Sequence, residues 1–164
     1  MRSRLLVAGL VAVSVALVAS DAWAKGAQRA TVRGPGLEHP VALDGQAVQP
    51  LIEAAGLYQS VFHQSPPPGE PGIPVTAKRP PGKLGPRYVA TYGWLVAQDR
   101  TKPVRQLLYP FAAGGALTYT PPRQRVFNDG QPFDGGWYRA GPALTTLLTS
   151  LGARVPSTTA SQRS

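Results

Sequence analysis

The sequence predicts an α+β fold, a small antiparallel sheet of three to five strands with two short helices packed on it. Three observations lead there. Residues 87–96, RYVATYGWLV, alternate with period two, so Tyr88, Ala90, Tyr92, Trp94 and Val96 share one face of a strand while Arg87, Val89, Thr91, Gly93 and Leu95 share the other. Further β-prone runs stand before and after it, bounded by turn residues, which suits antiparallel connections. Two stretches with helical spacing, each carrying an early proline and ended by a glycine, lie on either side of these central strands.

In chain order, residues 30–33 and 40–43 flank Gly34-Pro35-Gly36 and read as a hairpin. In GQAVQPLIEAAGLY, Pro50 suits a first helical turn, Leu51, Ile52 and Ala55 form an apolar stripe, and Gly56 supplies a left-handed stop. Residues 65–86, SPPPGEPGIPVTAKRPPGKLGP, are too rich in proline for regular hydrogen bonding and read as a long extended surface loop. The alternating strand follows, then a polar turn at 97–103, a second strand at 104–109 and a third at 116–120. Asn128-Asp129-Gly130 and Asp134-Gly135-Gly136 supply turn chemistry ahead of a short strand at 135–140. The last element is a helix opened by Pro142, striped by Leu144, Leu147, Leu148 and Leu151, and ended by Gly152.

The N-terminus predicts export. Arg2 and Arg4 precede a small, apolar run over residues 5–19, and Ala22 and Ala24 in SDAWA have the spacing that signal peptidase accepts, so residues 1–24 read as a signal peptide cleaved after Ala24. The run is shorter than the roughly 20 residues needed to span a bilayer. Cleavage leaves 140 of the 164 residues, enough for one domain, expected at 30–156 between loose tails at 25–29 and 157–164. The chain has no cysteine, so an exported product rests on its core without disulfides and has no thiol for lipid attachment. Its net charge is +9, and +8 once Arg2, Arg4 and Asp21 leave with the signal peptide. Such a protein is drawn to anionic matter. With charged residues at only 15 %, the excess of arginine over lysine and the abundant Ala, Gly and Pro also match a GC-rich coding sequence.

Motifs for chemistry are sparse. Only His39 and His63 are present beside the missing thiols, so no metal-ligand spacing exists and neither a metal nor a cofactor is expected. Ser60 and Ser65 flank His63 without a nucleophile elbow, and Gly34 to Gly36 lacks the rest of a phosphate-binding fingerprint. Asp129 and Asp134 share a glycine-rich stretch in which turn formation explains both. The proline loop holds Pro-x-x-Pro spacings at Pro68, Pro71 and Pro74, whose docking role suits an exported chain poorly. What remains is basic: Lys78, Arg79, Lys83 and Arg87 in the loop and at the strand's start, with Arg100, Lys102 and Arg105 at the next connection. A hairpin bringing both groups to one end of the sheet would make a basic rim.

The strings LGPRY, LYPFAAGGALTYTPP and GGWYRAGPAL, in this order, resemble small secreted proteins of actinobacteria over most of residues 34–152. The resemblance implies export and a single compact domain, and carries over no activity and no site residue. The expectation is therefore an exported, non-catalytic envelope or extracellular protein. Its basic rim would associate with an anionic envelope polymer, a lipid headgroup or another exported protein, and no specific nucleic-acid motif is present. The alternative is a small exported hydrolase using His63 or carboxylates among Glu53, Asp129 and Asp134, which requires those groups to converge in one cleft.

Overall fold

The computed structural model describes residues 26–62, 75–97, 100–125 and 131–154. The expected signal peptide with Ala22 and Ala24, the first half of the proline loop, His63, Asp129 and the tail at 157–164 lie outside the described residues.

Six strands form one antiparallel sheet in the order β2-β1-β3-β4-β5-β6. They are β1 Ala27–Arg33, β2 Val41–Asp44, β3 Tyr88–Ala97, β4 Arg100–Tyr109, β5 Leu117–Thr120 and β6 Gly136–Arg139. Three helices accompany them: α1 Gln49–Ala55, preceded by a 3-10 turn over Gly45–Val48, α2 Leu57–Phe62, and α3 Pro142–Ser150. The α+β class is as expected. The strand count exceeds three to five because the first hairpin joins the same sheet as the later meander, β1 pairing with β3 from Ala27–Trp94 to Arg33–Val89. The first strand also starts earlier than expected: Ala27, Gln28 and Arg29, read as tail, already belong to β1.

Residues alternating on β3 decide which side is core. Tyr88, Ala90, Tyr92 and Trp94 are buried, as are Ala30 and Val32 on β1 and Val104, Gln106 and Leu108 on β4. Onto this face pack Leu51, Ile52 and Ala55 of α1, Leu57 and Val61 of α2, and Leu144 and Leu148 of α3. Each fully buried leucine contributes about 1.5–3 kcal/mol of transfer free energy, so the three helices hold the sheet by their apolar stripes. The third helix arises at Gly56, whose φ of 61° ends α1 as expected and whose backbone then turns directly into α2. No other residue fits there, since a Cβ would also lie 2.2 Å from the Tyr138 ring.

The layer between sheet and helices contains polar side chains, and among the described residues no buried side-chain N or O atom lacks a hydrogen-bond partner. Gln106 accepts from the Tyr92 hydroxyl at 3.0 Å and donates to the Ala55 carbonyl at 3.1 Å and the Thr120 hydroxyl at 3.1 Å. Thr118 donates to the same Ala55 carbonyl at 3.0 Å. The last carbonyl of α1 is thus anchored to the middle of β4 and β5.

The opposite face of the sheet divides in two. Over β4, β5 and β6 lies a second, smaller apolar cluster of Tyr109, Ala112 and Leu117 with Leu84, Leu107, Tyr119 and Trp137. The described part of the proline loop runs along it: Thr76 exchanges two backbone bonds with Trp137, at 2.9 and 2.7 Å, and the Lys83 carbonyl accepts from Ala113 at 2.8 Å. Over β1, β3 and β4 the face is open to solvent, with Arg33, Thr91, Pro103 and Arg105 exposed.

Candidate functional site

The open face is set by register. Arg29, Gly93 and Pro103 stand side by side across β1, β3 and β4, then Thr31, Thr91 and Arg105, then Arg33, Val89 and Leu107. Adjacent strands are about 4.8 Å apart and successive rows about 7 Å, so three guanidinium groups and several hydroxyls share a patch a few residues across. Arg29 is held rather than splayed. Its aliphatic stem crosses Gly93, where a Cβ would come within 2.8 Å of its Cγ and Nε, and its guanidinium donates to the Thr101 hydroxyl at 3.0 Å. A groove of about 510 Å3 runs beside it, lined by Arg29, Thr31, Thr91 and Thr101 and also by Asp44 of β2, the cross-strand partner of Arg29.

Pro103 explains how the arginine on β4 is displayed. Successive amides of a strand face opposite neighbours, so the nitrogen of Pro103 and the amide of Arg105, two residues apart, face the same side. That side has no strand, because β5 pairs with β4 only from Leu107 to Tyr109. A proline there forfeits no ladder bond. At Arg105 the Gln124 side chain takes the place of a strand, its Oε1 accepting from the backbone N–H at 2.7 Å and its Nε2 donating to the backbone carbonyl at 2.9 Å. The chain therefore stays extended through residues 100–103, which the sequence reads as a turn.

Of the cations singled out in the sequence, Arg105 lies on this open face. Lys78, Arg79, Lys83 and Arg87 are exposed in the segment leading to β3, with Arg79 donating to the Gly82 carbonyl at 3.1 Å. Arg100 is exposed and Lys102 half-buried at the far end, in the first residues of β4. Because Tyr88 pairs with Leu108 and Ala97 with Arg100, Arg87 and Arg100 stand at opposite ends of a hairpin about 30 Å long. The two groups form no common rim: Arg87 and Arg100 mark the two ends of the hairpin, the segment carrying Lys78, Arg79 and Lys83 is bonded to Trp137 of β6 and to Ala113, and Lys102 sits opposite Trp94 on the helix side. Arg29 and Arg33, which sequence reasoning left out, complete the open face. The alternation of Arg29, Thr31 and Arg33 with Ala30 and Val32 was the signal that identifies them.

The aromatic residues of the same stretch face away from it. Tyr88 donates to the Pro35 carbonyl at 2.8 Å and Tyr92 is wholly buried, which pushes its phenol well above the usual range by desolvation. Trp94 is buried beneath Tyr58 and Phe62. They are core, not contact surface.

The carboxylates do not converge among the described residues. Glu53 lies on α1 beside a separate cleft whose described lining does not include Asp134, and Asp134 is exposed next to β6. Among the described residues no group of three or more histidines and carboxylates is placed to hold a metal ion, and no helix is long and apolar enough to cross a membrane. No protein-family model, curated protein or solved structure matches the chain. The functional reading therefore rests on geometry and charge.

Proposed function

We propose that the chain is an exported, non-catalytic protein that holds phosphate-bearing anionic material against the open β1-β3-β4 face. The observation that carries this is the display of Arg29, Arg105 and Arg33 in three successive rows of a solvent-facing sheet, Arg105 beside Thr91 and Thr31 and Arg29 bonded to Thr101, in a protein with net charge +9. Guanidinium groups bind oxyanions in a planar, two-bond geometry, and neighbouring hydroxyls donate to the remaining oxygens. Arg87 and Arg100, at the two ends of the β3-β4 hairpin, extend the positive field along the strands, which favours a linear polyanion over a single ion. Export is supported by Arg2 and Arg4, the apolar run at 5–19 and the small residues Ala22 and Ala24. The same phosphate chemistry occurs in a polymer and in a lipid headgroup, and binding assays separate the two sources.

Mature protein starting at Lys25 is expected to bind inorganic polyphosphate, and the triple variant Arg29→Ala, Arg33→Ala, Arg105→Ala to bind it at least about tenfold more weakly, near 1.4 kcal/mol. Parallel sedimentation with phosphatidylglycerol vesicles shows whether a membrane surface serves as well as a polymer. Equal polyphosphate affinity in the triple variant and the parent protein would remove the open face from the account.

A further inference from the structure

A second cleft, of about 770 Å3, opens where the start of β1, the 3-10 turn, α1 and α2 meet. Its volume is that of a small-molecule or oligomer site. Its chemistry is opposite to that of the open face. In a chain of net charge +9, the described lining carries one charge and that is negative, the Glu53 carboxylate, accompanied by three amides, Gln28, Gln46 and Gln49. An amide side chain presents donors and an acceptor in one plane, which matches a ligand whose hydroxyls both donate and accept; it discriminates against nothing but charge and shape. The carboxylate is oriented, since Gln49 donates to it at 2.8 Å across one turn of α1. Between these polar groups lie buried Val48 and the half-buried ring of Tyr58, which stands edge-on to Trp94 at 5.9 Å and 86°. Trp94 fixes the Tyr58 ring from behind, and an aromatic ring beside planar amides gives one apolar surface for C–H groups and several polar ones for hydroxyls.

We infer that this cleft binds a neutral oligosaccharide segment, with Gln28, Gln46, Gln49 and Glu53 bonding to ring hydroxyls and Tyr58 facing the C–H side of a ring. A phosphate polymer is disfavoured here by Glu53. The site is independent of the anion-binding face, so the chain would grip a polymer bearing both sugars and phosphates at two places.

The test is an amide-resolved NMR titration of the mature protein with a β-1,4-linked glucose hexamer and with its N-acetylglucosamine counterpart. It is run at about 0.5 M salt, where the Debye length falls to roughly 4 Å and the basic face is silent. Saturable shifts are expected at the side-chain amides of Gln28, Gln46 and Gln49, with Gln28→Ala combined with Gln46→Ala weakening binding at least about tenfold. Both glutamines are exposed, so the variant should melt with the parent protein. The inference is overturned by the absence of saturable shifts up to about 10 mM of either sugar, by shifts located elsewhere, or by undiminished binding in the double variant. Loss of sugar binding leaves polyphosphate binding untouched, and the reverse also holds, so the two readings fail separately.

Discussion

Gln106 lies at the centre of the molecule with no exposed surface and uses its amide on three elements at once: Tyr92 of β3, the end of α1, and Thr120 of β5. A buried amide is tolerated because every polar atom around it is matched; a partner lost without replacement costs about 1–3 kcal/mol. Tyr92 makes this arrangement sensitive to alkali. Its burial raises the phenol well above the value near 10 that it has in the unfolded chain, so the folded state holds the proton more tightly. That contribution is therefore complete below about pH 10 and declines as pH rises above it, by up to about 1.4 kcal/mol per pH unit for one proton. Tyr88 and Tyr58 are shifted in the same direction, chiefly by burial and, for Tyr58, also by Glu53. Urea unfolding between about pH 9 and 11 is expected to show a steep loss of stability in the parent protein and a shallower one in Tyr92→Phe; parallel slopes would contradict the assignment.

At the scale of elements, β4 depends on a substitute for its missing neighbour. Gln124, itself fixed by the Phe133 amide donating to its carbonyl and by the Arg123 amide donating to the Phe133 carbonyl, pairs with Arg105 as a strand would. Gln124→Ala should speed exchange of the Arg105 amide by about three- to tenfold while amides of Leu107 and Tyr109, paired with β5, keep their protection. Unchanged exchange at Arg105 would show that the side chain does not secure the edge. The same strand shows where sequence reading succeeds and stops. The β3 alternation is legible because its even-numbered residues up to Trp94 are all buried, and α3 because Leu144 and Leu148 meet the core at helical spacing. The beginning of β4 is not, because Pro103 among polar residues has the composition of a turn and only the absent β5 neighbour makes it harmless. Gly56 is rightly a helix end, yet nothing local announces that α2 starts at the next residue. The pairing of β1 with β3 joins distant segments, and it is this pairing that sets Arg29 beside Gly93 on the open face.

The whole molecule separates two kinds of surface. Three helices occupy one side of the sheet and leave an amide-lined cleft at their edge, whereas the other side carries an apolar patch under the proline segment and, next to it, the open arginine-threonine face. A basic charge balance alone would predict diffuse attraction to any polyanion; an open face with three arginines in successive rows predicts a located one. Of the cations read from sequence Arg105 falls on that face, whereas Arg29 and Arg33 join it through the register, so the charge was visible in the chain while the face was not. Mapping backbone amide shifts on addition of short-chain polyphosphate at low salt tests this most directly. The account predicts that the largest shifts fall on Arg29, Thr31, Thr91, Thr101 and Arg105 and fade as salt is raised. Shifts confined to the helix side, or an equal response over the whole surface, would contradict it.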